Sequence, residues 1–199
     1  MANARHDRDV HWVAPLMRGI LPLTAFHVPR RLRRTLRREP FEIRCDTSFA
    51  SVIRICAEPR PGHPQTWIND AIIDVFERLH GLGHAHSVEA WQDDRLVGGL
   101  YGLALGGAFF GESMFSHRTD ASKIALVHLV ARLRLGGFSL LDVQFITDHL
   151  RQFGALEIPS ASYIRKLGQA VGRPARFYLS ALDGESAISG AVQSNTQTS

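Results

Sequence analysis

The feature that most narrows the fold of this chain is a change of period near residue 84. Before it, Ile72, Ile73, Phe76 and Leu79 recur at helical spacing in a segment from about Asn69 to Leu82, stopped by Gly81 and Gly83. After it, residues 85–91, 95–104 and 107–115 read as strands separated by Asp93-Asp94 and Gly106-Gly107. Two tight turns in succession force neighbouring strands to run antiparallel, so a three-stranded meander is predicted. Helical spacing returns over about 120–135, from Asp120 as N-cap to the Gly136-Gly137 stop. A short strand at Phe138–Phe145, a helix near 147–152 and a last strand pair around a helix at 160–170 are expected to follow.

The first third of the chain is different in kind. Residues 1–60 hold 12 arginines against 6 acidic residues, whereas the remainder holds 11 basic against 13 acidic residues. Half of those arginines lie in Arg30-Arg31-Leu32-Arg33-Arg34-Thr35-Leu36-Arg37-Arg38, which follows Pro29, a good first-turn helix residue. Leu32 and Leu36 make one thin stripe that can dock. Arg30, Arg31, Arg33, Arg34, Arg37 and Arg38 then fan out, as a solvated face or as a surface for a phosphate backbone. A further helix is expected over 48–56. Glu58-Pro59-Arg60-Pro61-Gly62-His63-Pro64 reads as a linker. The division expected is a small basic N-terminal region at 1–60, a second domain at 61–182, and a disordered tail at 183–199 rich in Ser, Gly, Gln and Thr.

Several classes are disfavoured. No stretch approaches the ~20 apolar residues of a membrane span. The N-terminus is polar with no apolar segment behind it, so secretion is not expected and a cytoplasmic location is. Cys45 and Cys56 form neither a disulfide framework nor a metal-binding pair. His80, His84 and His86 straddle a helix stop and a strand start with no acid at ligand spacing, so no metal is expected.

The order of elements (helix, meander, helix, strand, helix, strand) is that of an α+β, acetyltransferase-like (GNAT-like) domain: a mixed, mostly antiparallel sheet flanked by helices. Within it, Gly111-Glu112-Ser113-Met114-Phe115-Ser116, Asp120-Ala121-Ser122-Lys123 and Asp142-Val143-Gln144 concentrate more functional groups than a core needs. These runs, with Thr66-Trp67-Ile68, Leu79 to Trp91, Leu96 to Gly102, His149-Leu150 and Gly154-Ala155, resemble one family in the same order, from about Trp12 to Leu167. The family is leucyl/phenylalanyl-tRNA–protein transferase.

The resemblance implies transfer of leucine or phenylalanine from aminoacyl-tRNA to the α-amino group of proteins beginning with Arg or Lys, marking them for degradation. It implies an acetyltransferase-like fold without acetyl-CoA, and no cofactor. Consistent with that, no Gly-rich pyrophosphate loop follows Ser116. An amine attacking an activated ester requires positioning, proton removal and oxyanion stabilisation, and no protein nucleophile or metal. By resemblance, Asp142 and Gln144 are the pair that passes the proton, and Glu112 holds the cationic amine. Alternation along a strand puts Met114 on the face of Glu112, as the wall of the amino-acid pocket, with at most one of Met114 and Phe115 reaching it directly. Ser113 and Phe115 adjoin that wall. Trp67 matches a family tryptophan near the aminoacyl-adenosine, where an aromatic face can stack, and the arginines of 30–38 suit a tRNA acceptor stem.

Plainer roles stand beside these: a strand-end cap for Asp142, an ion pair with Lys123 or an arginine for Glu112, turn or cap roles for Ser113 and Ser116, core packing for Met114 and Trp67. The family usually carries some 40 further N-terminal residues, including a Tyr-x-x-Gly-Ile-Phe-Pro-Trp-like segment, so the N-terminal region is expected to be a truncated one. That leaves a non-catalytic tRNA-binding paralogue as the alternative. The Arg-x-x-(Phe/Tyr) pattern usual after Ile-Pro is reduced to Ser160-Ala161-Ser162-Tyr163. A monomer is expected.

Overall fold

The computed structural model describes residues 13–59 and 66–178. In chain order they form β1 (Met17–Ile20), α1 (Arg30–Leu36), β2 (Glu42–Cys45), α2 (Phe49–Cys56), α3 (Asp70–Gly81), β3 (Ala85–Gln92) and β4 (Arg95–Leu105). Then come β5 (Ala108–Ser116), α4 (Ala121–Leu135), β6 (Leu140–Gln144), α5 (Asp148–Arg151), β7 (Leu156–Pro159) and α6 (Ser160–Val171). The strands join in one 7-stranded sheet of order β2-β3-β4-β5-β6-β1-β7. All neighbours are antiparallel except β5 and β6.

The meander forms because its turns are chemically committed. Asp93 and Asp94 both take positive φ, 50° and 55°, the conformation a two-residue hairpin turn needs. Gly106 turns at φ 54°, and a Cβ there would lie 2.1 Å from the carbonyl oxygen of Val171, so α6 can end against this turn only because the position is glycine.

From the end of β5 the chain crosses over through α4 to the parallel β6. Helix α4 shows no narrow apolar stripe; Ile124, Leu126, Leu129, Val130 and Leu133 are buried around its circumference. One face lies on the sheet. Leu21, Leu23, Phe26 and Val28, Leu32 and Leu36 of α1, and Phe153 complete the cluster around α4, with Phe177 stacked on His86 and Phe109 of the sheet. A second core cluster on α2 and α3 gathers Val52, Ile53, Ile68, Ile73, Tyr101 and Phe115.

Three local details add to or depart from the sequence reading. Residues 1–60 supply β1, inserted between β6 and β7, and β2 at the opposite edge, so the described part of the basic region is woven into the same sheet. These strands have four residues each, too few to show a period. Asp120 stands at the N-cap of α4 but makes no capping bond. Its carboxylate pairs with Lys123 at 2.7 Å, while Ser116 Oγ accepts the Ser122 N–H at 3.2 Å. No strand follows α6 among the described residues. Instead the chain returns along the end of α4, where Arg176 N–H donates to Gly136 O at 2.9 Å. The linker at 60–64 and the tail at 183–199 lie outside the described residues. Among the described residues no helix is long and apolar enough to cross a membrane.

Candidate active site

β5 and β6 pair only through Ala108↔Leu140, Phe109↔Leu141 and Phe110↔Asp142. Beyond that point β5 runs on to Ser116 while β6 ends at Gln144. Where the two strands part, a cavity of about 730 Å³ opens, within the usual range for a small-molecule pocket. Leu100, Met114, Leu126, Leu129 and Leu141 give it an apolar wall. Glu112, Ser113, Gln144 and His149 give it polar groups.

Glu112 reaches this cavity through a break in the strand. The register passes from Gly102↔Gly111 to Tyr101↔Ser113, leaving Glu112 as the extra residue of a β-bulge. A bulge interrupts alternation, so the expectation that Met114 shares the face of Glu112 loses its basis. Met114 lies opposite Leu100 and packs with it against the α4-side core, while Phe115 packs against the α2–α3 side. Both still line the cavity, because β5 is unpaired along this edge and the opening reaches around it. A Cβ on Gly102 would fall 2.3 Å from Phe110 O, so the bulge needs glycine opposite it.

Among the described residues Glu112 has no hydrogen bond or ion pair. Lys123, its expected alternative partner, is engaged by Asp120. Burial and the nearby Asp142 carboxylate push the Glu112 carboxyl up to about 7, against the opposing pull of Arg18. Two more buried polar atoms on the cavity wall, Tyr101 Oη and His149 Nε2, also lack a hydrogen-bond partner among the described residues. Burial, then Cys56 and Glu112, raises the Tyr101 phenol well above its ordinary value. Burial, reinforced by Lys123, lowers the His149 imidazole.

Asp142 is placed otherwise. It is 0% exposed and sits behind the cavity wall. Its Oδ1 accepts from Arg18 Nε at 3.0 Å and from the Gln144 backbone N–H at 2.7 Å. Its Oδ2 accepts from Arg18 Nη2 at 2.8 Å and from the Tyr163 hydroxyl. A carboxylate has about four lone-pair sites, and all are taken. Burial alone would lower the Arg18 pKa, but Asp142 more than offsets it and holds the guanidinium charged. Gln144, at φ 56°, is fixed by its N–H to Asp142 and lines the cavity itself.

Glu112, Ser113, Met114, Phe115 and Gln144 therefore meet at one cavity, with Asp142 directly behind. Trp67 is half-buried against the α2–α3 cluster and is not part of the cavity wall. Arg30, Arg31 and Arg34 are exposed and Arg33 half-buried on α1, whose leucines dock on α4, and Arg37 and Arg38 just after it are exposed. Arg18 and Tyr163 had not been singled out for the site. Arg18 lies 124 residues from its partner on a strand too short to read, and Tyr163 was visible only as the remnant of the pattern after Ile158-Pro159.

With this geometry in view, comparison with known proteins is decisive. The family model described as leucyl/phenylalanyl-tRNA protein transferase matches residues 20–168. The chain belongs to this family of aminoacyltransferases. It is 63% identical over 177 residues to a leucyl/phenylalanyl-tRNA–protein transferase of Paramagnetospirillum magneticum, covering 89% of this chain and 85% of that one. It is 61% identical to the protein of that name from Phenylobacterium zucineum (89% and 80% covered) and 57% identical to that from Caulobacter vibrioides (89% and 82% covered). The matched span includes the Glu112 bulge, Asp142, Gln144 and Tyr163.

Proposed function

We propose that this chain moves leucine or phenylalanine from aminoacyl-tRNA to the α-amino group of proteins with an N-terminal Arg or Lys, marking them for degradation. It acts as a monomer in the cytoplasm, on an acetyltransferase-like frame without a cofactor. The observation that carries this reading is the junction, at the β5–β6 opening, of an apolar wall with a carboxylate that has no partner among the described residues and with Gln144, whose backbone N–H is held by Asp142. The side chain of Leu or Phe suits the wall of Leu100, Met114, Leu126, Leu129 and Leu141. Glu112 meets the acceptor's α-amino group. Gln144 and the Tyr101 hydroxyl, which has no partner among the described residues, are donors for the ester carbonyl as its oxygen gains charge. The arginines of α1, with no acid in its first turn, hold the tRNA backbone.

Incubating the purified protein with labelled Phe-tRNA and an Arg-initiated acceptor tests the reading. Label should pass to the acceptor's N-terminus. Salt-sensitive tRNA binding with no transfer would instead identify a non-catalytic tRNA-binding protein.

A further inference from the structure

Resting on that reading, we infer that Glu112 takes the proton from the attacking amine and returns it to the departing ribose oxygen, while Arg18 and Tyr163 fix Asp142 as the anchor of Gln144. The argument begins with occupancy. Each lone-pair site of Asp142 is filled by Arg18, Tyr163 or the Gln144 N–H, and its side chain is shut off from the cavity. Accepting a proton would require Asp142 to give up a charged hydrogen bond to a guanidinium. Glu112 faces the cavity from a bulge and has no partner among the described residues to give up.

The groups around Glu112 are Asp142 from β6, Arg18 from β1 and Tyr101 from β4, with Tyr163 of α6 beyond Asp142. His149 of α5, His117 after β5 and Glu58 after α2 line the same cavity. Within this set burial and Asp142 bring the Glu112 carboxyl to about 7, suited both to accept a proton and to release it.

The step balances. The amine nitrogen bonds to the ester carbonyl carbon and its proton passes to Glu112. The C–O bond to the ribose breaks, and the same proton leaves Glu112 for that oxygen. The products are an amide and a free tRNA hydroxyl, with Glu112 ionised as at the start. Asp142, Arg18 and Tyr163 are positioning residues in this scheme.

The test is the pH dependence of single-turnover transfer from bound Phe-tRNA to an Arg-initiated peptide. In the wild-type chain both the acceptor amine (pKa about 7.7–8) and Glu112 must lose a proton, so below about pH 7 the log rate should climb with a slope approaching two. Glu112→Gln should reduce that slope to one and lower the plateau about 100-fold or more. Asp142→Asn should keep the steeper slope with the lower inflection moved to lower pH, since Asp142 raises the Glu112 pKa. Should that variant not fold, Tyr163→Phe removes a single hydrogen bond and should keep the steep slope while slowing the plateau about tenfold. A steep slope surviving in Glu112→Gln, or a slope of one in Asp142→Asn or Tyr163→Phe, overturns the inference. A wild-type chain that transfers nothing removes the functional reading and this inference with it, whereas unchanged kinetics in Glu112→Gln removes the inference alone.

Discussion

Two regions of the sheet bury acidic side chains, and they treat them in opposite ways. At the β2–β3 edge Glu89 is 0% exposed and receives hydrogen bonds from Thr47, from the Ser48 N–H at 2.8 Å, from Ser87 Oγ at 2.8 Å and from Trp91 Nε1 at 3.0 Å. Beside it Asp46 accepts from His86 Nδ1 at 2.8 Å, the Ser87 N–H at 2.7 Å and the Tyr178 hydroxyl. His86 is stacked on Phe177 at 3.9 Å, so this network also ties down the chain after α6. At the β5–β6 opening Asp142 is satisfied in this manner; Tyr101 Oη and His149 Nε2 have no hydrogen-bond partner among the described residues, and Glu112 makes no hydrogen bond among them. A buried polar group left without a partner costs stability, and folds keep such groups chiefly where they have other work. The β2–β3 network holds the structure. The opening is built to receive something.

The largest effect expected from that contrast is on turnover. Glu112→Gln should lower transfer about 100-fold or more while leaving the melting temperature unchanged or slightly raised, because a half-buried charge with no partner among the described residues is removed. Calorimetry beside the transfer assay checks both halves. Next, Arg18→Ala leaves the Asp142 carboxylate buried and uncompensated, and should cost about 3–5 kcal/mol in denaturant unfolding. Glu89→Ala should cost about 1–3 kcal/mol for each donor it orphans that water cannot reach, with transfer per folded molecule preserved.

The smallest effect concerns acid. Burial works against ionisation of Asp46, but the bonds from His86, Tyr178 and the Ser87 N–H prevail and hold its pKa below the ordinary value. A folded-state pKa below the unfolded one contributes stability that is complete above the unfolded value near 3.9 and is lost as pH falls through the folded value. Asp46→Asn should therefore flatten the acid limb of the stability curve while Glu112→Gln does not, as equilibrium unfolding at stepped pH will read.

Much of this contrast was hidden in the sequence, for physical reasons. The β3–β5 meander was legible because Asp93-Asp94 and Gly106 dictate their turns, and α3 and α4 because their apolar spacing is long enough to count. The residues of the opening were legible through the family resemblance. The environment of each was not. Whether Asp142 or Glu112 is satisfied depends on Arg18 and Tyr163, brought to β6 by a four-residue strand and by a helix from the far end of the chain. The bulge that turns Glu112 to the cavity left one trace, the isolated Gly102 inside a strand pattern.

The most direct test of the contrast is labelled-phenylalanine transfer to an Arg-initiated acceptor by three proteins side by side: wild type, Glu112→Gln and Glu89→Gln, each normalised to folded protein. The account predicts efficient labelling by the wild type, labelling by Glu89→Gln within a few-fold of it, and a loss of about 100-fold or more in Glu112→Gln. Equal rates in wild type and Glu112→Gln, or a loss confined to Glu89→Gln, would contradict it.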